Sequence, residues 1–337
     1  MTNLLFLAGI ALIGTVIVWV GSSALEQATL DLGRHYGLPR VVQGAVLAAV
    51  GSSAPEIASA VIATIRYDQF ELGVGVIVGS AVFNILVIPA LAALLSEGTL
   101  DTGRDIVYKE AQFYMLSVAV LFLAFALAVI YYPVDGGDDL TGVITRPMAL
   151  ALIALYGLYV FVQYLDVSDI DVSTRPLASR DLLVQWGYLL GGVVLIIGGV
   201  EGLVYAAVNF GAAFQTPSFL WGLTIVAAAT SLPDAFISIS AARINEPAVS
   251  LGNVLGSNVF DLLVAIPVGI LVAGATTISF TAAVPMMAFL VVATIVLFAF
   301  ARTGMEITDR EALSMLVLYG IFIGWLLLES VGLIRLV

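Results

Sequence analysis

Long apolar runs alternate with short polar breaks along the whole chain. Ten of these runs reach the roughly 20 residues that an α-helix needs to cross a bilayer. They cover approximately residues 3–24, 39–65, 72–96, 108–131, 147–164, 182–210, 219–242, 249–273, 278–301 and 312–333. The longest polar break, residues 166–181, follows the fifth run and separates two sets of five. The pattern therefore predicts an all-α membrane protein with ten transmembrane helices.

Composition agrees with a membrane location and limits the ligands that the protein can bind. The 337 residues are 61% hydrophobic and 11% charged, whereas soluble domains contain about 25% charged residues. The net charge of −12 excludes nucleic acid as a partner. Because the chain has no cysteine, any bound metal must use oxygen ligands, which favour hard cations.

The basic residues predict an orientation. Nine of the 12 lysines and arginines lie in loops that follow odd-numbered helices, and three lie on the opposite side. Cytoplasmic loops carry the excess of basic residues, so both termini are predicted to be extracellular in a multi-pass protein of the plasma membrane. The first apolar run lacks a basic n-region and a cleavage site, which favours a spanning helix over a signal peptide.

Two segments of the first half return in the second half. Residues 51–63, GSSAPEIASAVIA, return at 229–242 as ATSLPDAFISISAA. Residues 78–89, VGSAVFNILVIP, return at 255–267 as LGSNVFDLLVAIP, and the offset is 177 or 178 residues in both cases. The agreement of two motifs at one offset indicates an internal duplication.

The helix count gives this duplication a geometry. Each unit contains an odd number of helices, so the second unit enters the membrane upside down relative to the first. We therefore predict two inverted five-helix repeats, residues 1–165 and 182–337, joined by a short cytoplasmic linker at 166–181. Inverted repeats with a site near the midplane are typical of secondary transporters.

Each duplicated segment places an acid inside an apolar run. Glu56 and Asp234 occupy equivalent positions, directly after Pro55 and Pro233. An uncompensated carboxylate at membrane depth is costly, so such a residue marks a functional site by default. A buried carboxyl that serves only packing is the alternative, and two such residues in register make that alternative weak. The sequence therefore predicts a duplicated cation site.

Oxygen-bearing residues surround both acids. Each proline should free a backbone carbonyl about one turn earlier, near Gly51 and Ala229, and a cation can serve as its partner. The side chains beside the prolines or at i, i+4 spacing are Ser52, Ser53, Thr230, Ser231, Ser80, Asn84, Ser257 and Asp261. Calcium accepts six to eight oxygens in flexible geometry, unlike magnesium. Glu201, deep in the sixth run, is interpreted as a structural or vestibule residue.

These residues resemble a known family. Residues 44–90 and 222–268 resemble the α-repeats of the calcium/cation antiporter superfamily, specifically its sodium/calcium exchanger branches, whose motifs are approximately G-[ST]-S-x-P-E/D and G-S-N/A-x-F-N/D. The short 166–181 linker has no room for the regulatory domain of animal exchangers, which is typical of a prokaryotic member. The resemblance implies ion sites between helices 2, 3, 7 and 8.

The resemblance also implies a ligand set. The family's calcium ligands fall on Glu56 and Asp234, with Ser52 and Thr230 beside them. Its sodium ligands fall on Ser53, Ser231, Ser80, Ser257, Asn84 and Asp261, and on the backbone carbonyls of Ala49 and Ala227. Aspartate instead of glutamate at 234, and the acid at 261, resemble the potassium-dependent branch, so potassium dependence stays open.

On this basis the sequence predicts a secondary active antiporter that exchanges sodium for calcium by alternating access. A proton/calcium antiporter that protonates the same acids is the alternative. A cation channel is disfavoured, because channels usually assemble their pores from subunits around an axis. We expect no enzymatic activity, no cofactor and no obligate protein partner; the expected partners are membrane lipid and the transported cations.

Overall fold

A computed structural model describes residues 4–38, 43, 47–96, 99–134, 140–167 and 177–330. This part of the chain is almost entirely helical. In chain order the α-helices are α1 (Leu4–His35), α2 (Ala49–Ser52), α3 (Ala54–Tyr67), α4 (Phe70–Leu95), α5 (Gly103–Asp105), α6 (Ala111–Tyr131), α7 (Arg146–Val167), α8 (Ser179–Phe214), α9 (Ser218–Trp221), α10 (Ala227–Thr230), α11 (Leu232–Arg243), α12 (Pro247–Phe260), α13 (Ile266–Ala273), α14 (Phe280–Arg302) and α15 (Asp309–Ser330). The π-helical segments Ile106–Glu110, Gly222–Val226 and Asp261–Ala265 join neighbouring α-helices into longer ones.

Eight helices in the described residues are long and apolar enough to span a bilayer. A ninth span results if Ser218–Thr230 and Leu232–Arg243, which meet at a bend of 44°, are taken together. These spans coincide with nine of the predicted runs. The remaining run, 39–65, lies partly outside the described residues, and α2 and α3 form its described portion. The prediction of a multi-pass helical membrane protein is confirmed.

Both duplicated prolines begin a new helix. A break at Ser53 separates α2 from α3, and a break at Ser231 separates α10 from α11. Pro55 and Pro233 stand in the first turn of the helix that follows each break. At that position proline loses no hydrogen bond and its fixed φ suits the helix. Each span is therefore interrupted two residues before its proline, and the acid after each proline becomes a first-turn residue.

Two short antiparallel strand pairs depart from the predicted all-α fold. β1 (Leu100–Asp101) pairs with β4 (Glu306–Ile307), and β2 (Thr141–Thr145) pairs with β3 (Ala275–Ser279). Each pair joins one half of the chain to the other. β1 precedes α6 and β2 follows it, so the two pairs lie at opposite ends of that helix. β1 and β4 have two residues each and are too short for alternation to be a signal. β2 and β3 have five residues each.

The most buried helices form the centre of the bundle. Over their most apolar stretches, 89% of α4 and 78% of the α12–α13 span are buried, against 28% of α1. A helix that is apolar all round belongs in a core. Because α3 and α11 both pack against these central helices, the two proline motifs are carried into the middle of the protein.

Glycines bring α1 and α8 into close contact. A Cβ atom at Gly14 would lie 2.9 Å from the carbonyl oxygen of Gly199, and one at Gly21 would lie 2.9 Å from that of Gly192. The reciprocal distances are 2.8 Å and 2.7 Å. Small residues of this kind let membrane helices approach closely. The pair contacts helices of both proline motifs: α1 packs on α2, α3, α10 and α11, and α8 packs on α3, α9 and the π-helical segment Gly222–Val226.

Candidate cation site

The ten polar side chains identified from the motifs are all buried. Each is at most 2% exposed. They are Ser52, Ser53, Glu56, Ser80, Asn84, Thr230, Ser231, Asp234, Ser257 and Asp261. The two helix breaks carry six of them, and the central helices α4 and α12 with its π-helical extension carry the other four. Ala49 and Ala227, whose carbonyls complete the predicted set, are buried as well.

Hydroxyl contacts join the two halves of the chain inside this cluster. The hydroxyls of Ser52 and Ser257 lie 3.2 Å apart. Those of Ser80 and Ser231 lie 2.7 Å apart. Each contact connects a helix break of one half to a central helix of the other half. The structure therefore brings the two motifs of both halves together at one place.

The two duplicated acids have different surroundings. Ser80 Oγ donates to Glu56 Oε1 at 3.3 Å. Asp234 accepts from Ser257 Oγ on Oδ1 at 3.3 Å and from Asn84 Nδ2 on Oδ2 at 3.2 Å. Asp234 is thus hydrogen-bonded through both oxygens, while Glu56 is hydrogen-bonded through one.

Several buried oxygens of the cluster have no hydrogen-bond partner among the described residues. They are Ser53 Oγ, Glu56 Oε2, Asn84 Oδ1 and both carboxylate oxygens of Asp261. Buried polar atoms are normally hydrogen-bonded, and leaving one without a partner costs about 1–3 kcal/mol. Unpartnered oxygens on four neighbouring residues are the arrangement expected of a site whose ligand is a cation.

Three carboxylates share this volume. Asp261 lies within electrostatic range of both Glu56 and Asp234. No ion pair in the described part of the chain includes any of these three acids. Buried like charges repel one another strongly when nothing neutralises them. Bound cations or protons must supply the balancing charge.

The site is not a cluster of acids alone. No group of three or more His, Cys, Asp or Glu side chains in the described residues has the geometry of a metal centre. Serine, threonine and asparagine oxygens must therefore provide much of any coordination. Such neutral oxygens suit sodium and calcium, which accept hydroxyl and carbonyl ligands.

The predicted carbonyl ligands already accept local hydrogen bonds. Ala49 O accepts from the Ser53 N–H at 2.9 Å. Ala227 O accepts from the N–H and the hydroxyl of Ser231 at 3.0 Å and 2.8 Å. These bonds orient both carbonyls at the ends of the short helices α2 and α10. A cation that binds Ala227 O has to compete with the Ser231 hydroxyl.

Ser22 of α1 contacts the carbonyl that lies one turn before Pro55. Its hydroxyl donates to Gly51 O at 3.2 Å, so the carbonyl near Pro55 is partnered by protein. The carbonyl that Pro55 was expected to free thus gains a side-chain donor, and cation binding at Gly51 O stays a prediction. Nothing in the duplicated motifs identifies Ser22, because it lies on a helix outside both of them.

Two asparagines of α12 extend the network beyond the predicted residues. Asn258 accepts from Asn84 Nδ2 at 3.0 Å and donates to Ala81 O at 3.2 Å. Asn253 donates to Ser238 Oγ at 3.1 Å and, at 3.5 Å, to Asp234 Oδ1. The comparison of the two repeats did not identify either asparagine, because the residues at the equivalent positions of the first half are apolar. The presence of an amide side chain within an apolar run could have identified them.

Glu201 lies outside the cluster. Its Oε1 accepts from the Tyr67 hydroxyl at 2.7 Å and pairs with Arg66 Nε at 3.2 Å. These contacts tie α8 to the end of α3. The structure therefore agrees with the interpretation of Glu201 as a structural residue.

The sequence matches the family model for sodium/calcium exchanger proteins over residues 6–165 and 184–328. The chain belongs to the sodium/calcium exchanger family. The match includes both halves and both duplicated motifs, so the resemblance seen in the motifs is confirmed. The family is one of membrane transporters for sodium and calcium ions.

Relatives cover nearly the whole chain. An uncharacterised membrane protein of Methanocaldococcus jannaschii is 27% identical over 294 residues, which are 87% of this chain and 89% of the relative. The sodium/calcium exchanger MaX1 of Methanosarcina acetivorans is 25% identical over 348 residues, 93% of this chain and 96% of the relative. A solved structure of the sodium-calcium exchanger NCX_Mj matches with a TM-score of 0.60 at 24% identity, covering 96% of this chain and 99% of that one. That likeness shows the shared fold.

Proposed function

We propose that this protein is a secondary active antiporter that exchanges sodium for calcium by alternating access. The observation that carries the proposal is the set of unpartnered buried oxygens on Ser53, Glu56, Asn84 and Asp261. The carboxylates of this site repel one another, and several of its oxygens have no hydrogen-bond donor. Bound cations stabilise such a site. Membership of the exchanger family selects sodium and calcium as those cations.

Coupling follows from a shared set of ligands. We propose that calcium binds between Glu56 and Asp234 with the hydroxyls of Ser52 and Thr230. Sodium ions take positions built from the remaining members of the set, which are Ser53, Ser231, Ser80, Ser257, Asn84, Asp261 and the carbonyls of Ala49 and Ala227. Ser80 and Ser231 touch each other, and Ser80 also touches Glu56. Full occupancy by one ion therefore disturbs the ligands of the other.

The proposed architecture is two inverted five-helix units, residues 1–165 and 182–337. The strand pairs support it. β1 follows α4 in the first half as β3 follows α13 in the second, and β2 follows α6 as β4 follows α14. The β1–β4 pair therefore corresponds to the β3–β2 pair. Packing supports it too: α4 contacts α15 as α13 contacts α7. The proposed linker, 166–181, lies largely outside the described residues. We propose that the linker is cytoplasmic, because most of the basic residues lie on its side of the membrane. Both termini are then extracellular, and the protein lies in the plasma membrane.

Sodium-driven calcium uptake is the first expected result. Proteoliposomes loaded with sodium and diluted into sodium-free calcium buffer should accumulate radioactive calcium, because outward sodium movement supplies the driving force. Replacing internal sodium by choline should abolish the uptake, and protein-free liposomes serve as the control. Uptake that ignores the sodium gradient contradicts the proposal.

The same assay distinguishes the related couplings. An imposed pH gradient in sodium-free buffer should give no uptake; uptake there would establish proton/calcium exchange instead. Adding potassium on the calcium side tests potassium co-transport, which would appear as a dependence of calcium flux on potassium at fixed membrane potential.

Asp261→Asn should raise the unfolding temperature of the ion-free protein. It replaces a buried, unpartnered carboxylate by the amide that Asn84 already provides at the equivalent position of the first half. Removing an uncompensated buried charge is stabilising, and we expect a rise of about 3–5 °C. Stabilisation by added sodium should shrink, since a charged ligand is replaced by a neutral one.

Thermal unfolding with and without sodium measures both effects. Asp105→Asn, which neutralises an exposed acid, is the control and should change neither. A lower unfolding temperature for Asp261→Asn in ion-free buffer would show that the protein itself stabilises the Asp261 carboxylate. An unchanged stabilisation by sodium would exclude Asp261 as a sodium ligand.

A further inference from the structure

Glu26 is a carboxylate of α1 that lies beside the site without belonging to either motif. Its main chain and side chain pack against Gly51: a Cβ atom added to Gly51 would lie 2.9 Å from Glu26 Cα and 3.4 Å from its Cγ. Gly51 directly precedes the ligand pair Ser52 and Ser53. The charge of Glu26 also lies within electrostatic range of Asp234. Glu26 is thus one helix away from the proposed calcium ligands.

No group in the described part of the chain neutralises Glu26. None of the ion pairs there includes it, and none of the side-chain hydrogen bonds there ends on its carboxylate. The residue is half-buried. Among the described residues, the Glu26 carboxylate therefore has no protein partner that an arriving cation would have to displace.

The second half has no equivalent group. The 178-residue offset that relates Gly21 to Gly199 relates Glu26 to Val204, which is fully buried. The nearest acid on α8, Glu201, is one turn away on the same face, and Arg66 neutralises it at 3.2 Å. The counterpart of that arginine is Arg243, because the left-handed residues that follow the two helices, Asp68 and Asn245, are 177 residues apart. None of the ion pairs in the described residues includes Arg243. One half therefore carries an unpaired acid where the other carries valine and an ion pair.

Polar residues continue from Glu26 towards one end of α1. Between Leu4 and Val20 the helix is apolar except for Thr15, whereas the part from Ser22 to His35 contains most of its polar residues. His35 accepts from the Leu177 N–H, so this end of α1 lies beside the start of α8. We call this side of the membrane the His35 face.

We propose that Glu26 is an outer cation-binding carboxylate on the access route between the His35 face and Asp234. It takes an incoming calcium or sodium ion that still holds part of its water shell and concentrates it beside the buried ligands. Clefts that carry one sign of charge raise the local counter-ion concentration in this way. The inference rests on the proposed exchange function and adds that capture is asymmetric, because the opposite route has Val204 at the corresponding position.

The test is the half-saturating calcium concentration measured separately at each membrane face. Right-side-out and everted vesicles from cells that express the full-length protein present the two faces to the same buffer. Glu26→Gln should raise the half-saturating calcium concentration about three- to tenfold at the His35 face. The value at the other face and the maximal flux should stay within a factor of two. Glu26→Asp, which keeps the charge, should resemble wild type.

Controls separate the alternatives. Asp31→Asn removes a charge from the same end of α1, where Asp31 pairs with Arg34, and should leave both half-saturating concentrations unchanged. If Glu26→Gln does not fold, Glu26→Ala repeats the measurement. No shift, or an equal shift at both faces, overturns the inference. Absence of sodium-driven calcium flux in wild type would instead overturn the proposed function.

Discussion

Glu56→Gln is expected to lower calcium transport at least about 100-fold while the protein still folds. The substitution keeps the size of the side chain and its contact with Ser80 Oγ, but it removes the charge of a carboxylate that is 1% exposed. A charged ligand in a water-excluded site is worth about 3 kcal/mol or more, which corresponds to about 100-fold in affinity. Because its Oε2 has no protein partner, the lost interaction is the one with the cation.

Calcium flux in proteoliposomes, combined with size-exclusion chromatography, measures this loss. Asp234→Asn should have an effect of the same order. Because asparagine has one side-chain oxygen, it can keep only one of the hydrogen bonds that Asp234 accepts from Ser257 and Asn84. Glu246→Gln, at an exposed position before α12, is the matched control and should transport normally. Normal flux in both Glu56→Gln and Asp234→Asn would remove these acids from the mechanism.

Gly79→Ala is expected to destabilise the protein by about 3 kcal/mol or more and to disrupt the site. A Cβ atom at Gly79 would lie 2.2 Å from the carbonyl oxygen of Leu223 and 2.8 Å from the Cβ of Ala227. The first neighbour is main chain of a π-helical segment, which cannot move aside as a flexible side chain can. Relief of the clash must separate α4 from that segment, and the next residue, Ser80, would lose its contact with Ser231.

Thermal unfolding in detergent and calcium flux measure the two consequences. The control is Gly157→Ala on α7, where no atom lies within 4 Å of the added Cβ. There the greater helix propensity of alanine should leave stability unchanged or slightly raised. A Gly79→Ala protein with wild-type unfolding temperature and flux would show that this helix contact is looser than the structure indicates.

The two halves differ in the polar and acidic groups that they contribute to the site. Glutamate at 56 corresponds to aspartate at 234, and Asn84 corresponds to Asp261. The structure adds Asn253 and Glu26, whose counterparts are valines. Polar and acidic groups thus gather around the second motif and α1. We expect this asymmetry to distinguish the two directions from which ions reach an otherwise duplicated set of ligands.

Local sequence properties were sufficient to predict the membrane-spanning helices of this protein and the residues of its candidate site. The apolar runs predicted nine spans that the structure describes, since helix formation in lipid depends on each segment satisfying its own backbone. The cost of a carboxylate in such a run identified Glu56 and Asp234 without any tertiary information. The duplication then indicated that their neighbours act together, and the structure places all ten predicted side chains in the core.

Tertiary packing alone decided which atoms meet and which are left without a partner. The contact between Ser52 and Ser257 joins positions 205 residues apart, and that between Asn84 and Asp234 joins positions 150 apart, so no local pattern contains them. The same holds for Ser22, which occupies the Gly51 carbonyl, and for the strand pairs across the halves. A hydrogen bond requires two groups at a set distance and angle, and only the folded chain determines that geometry.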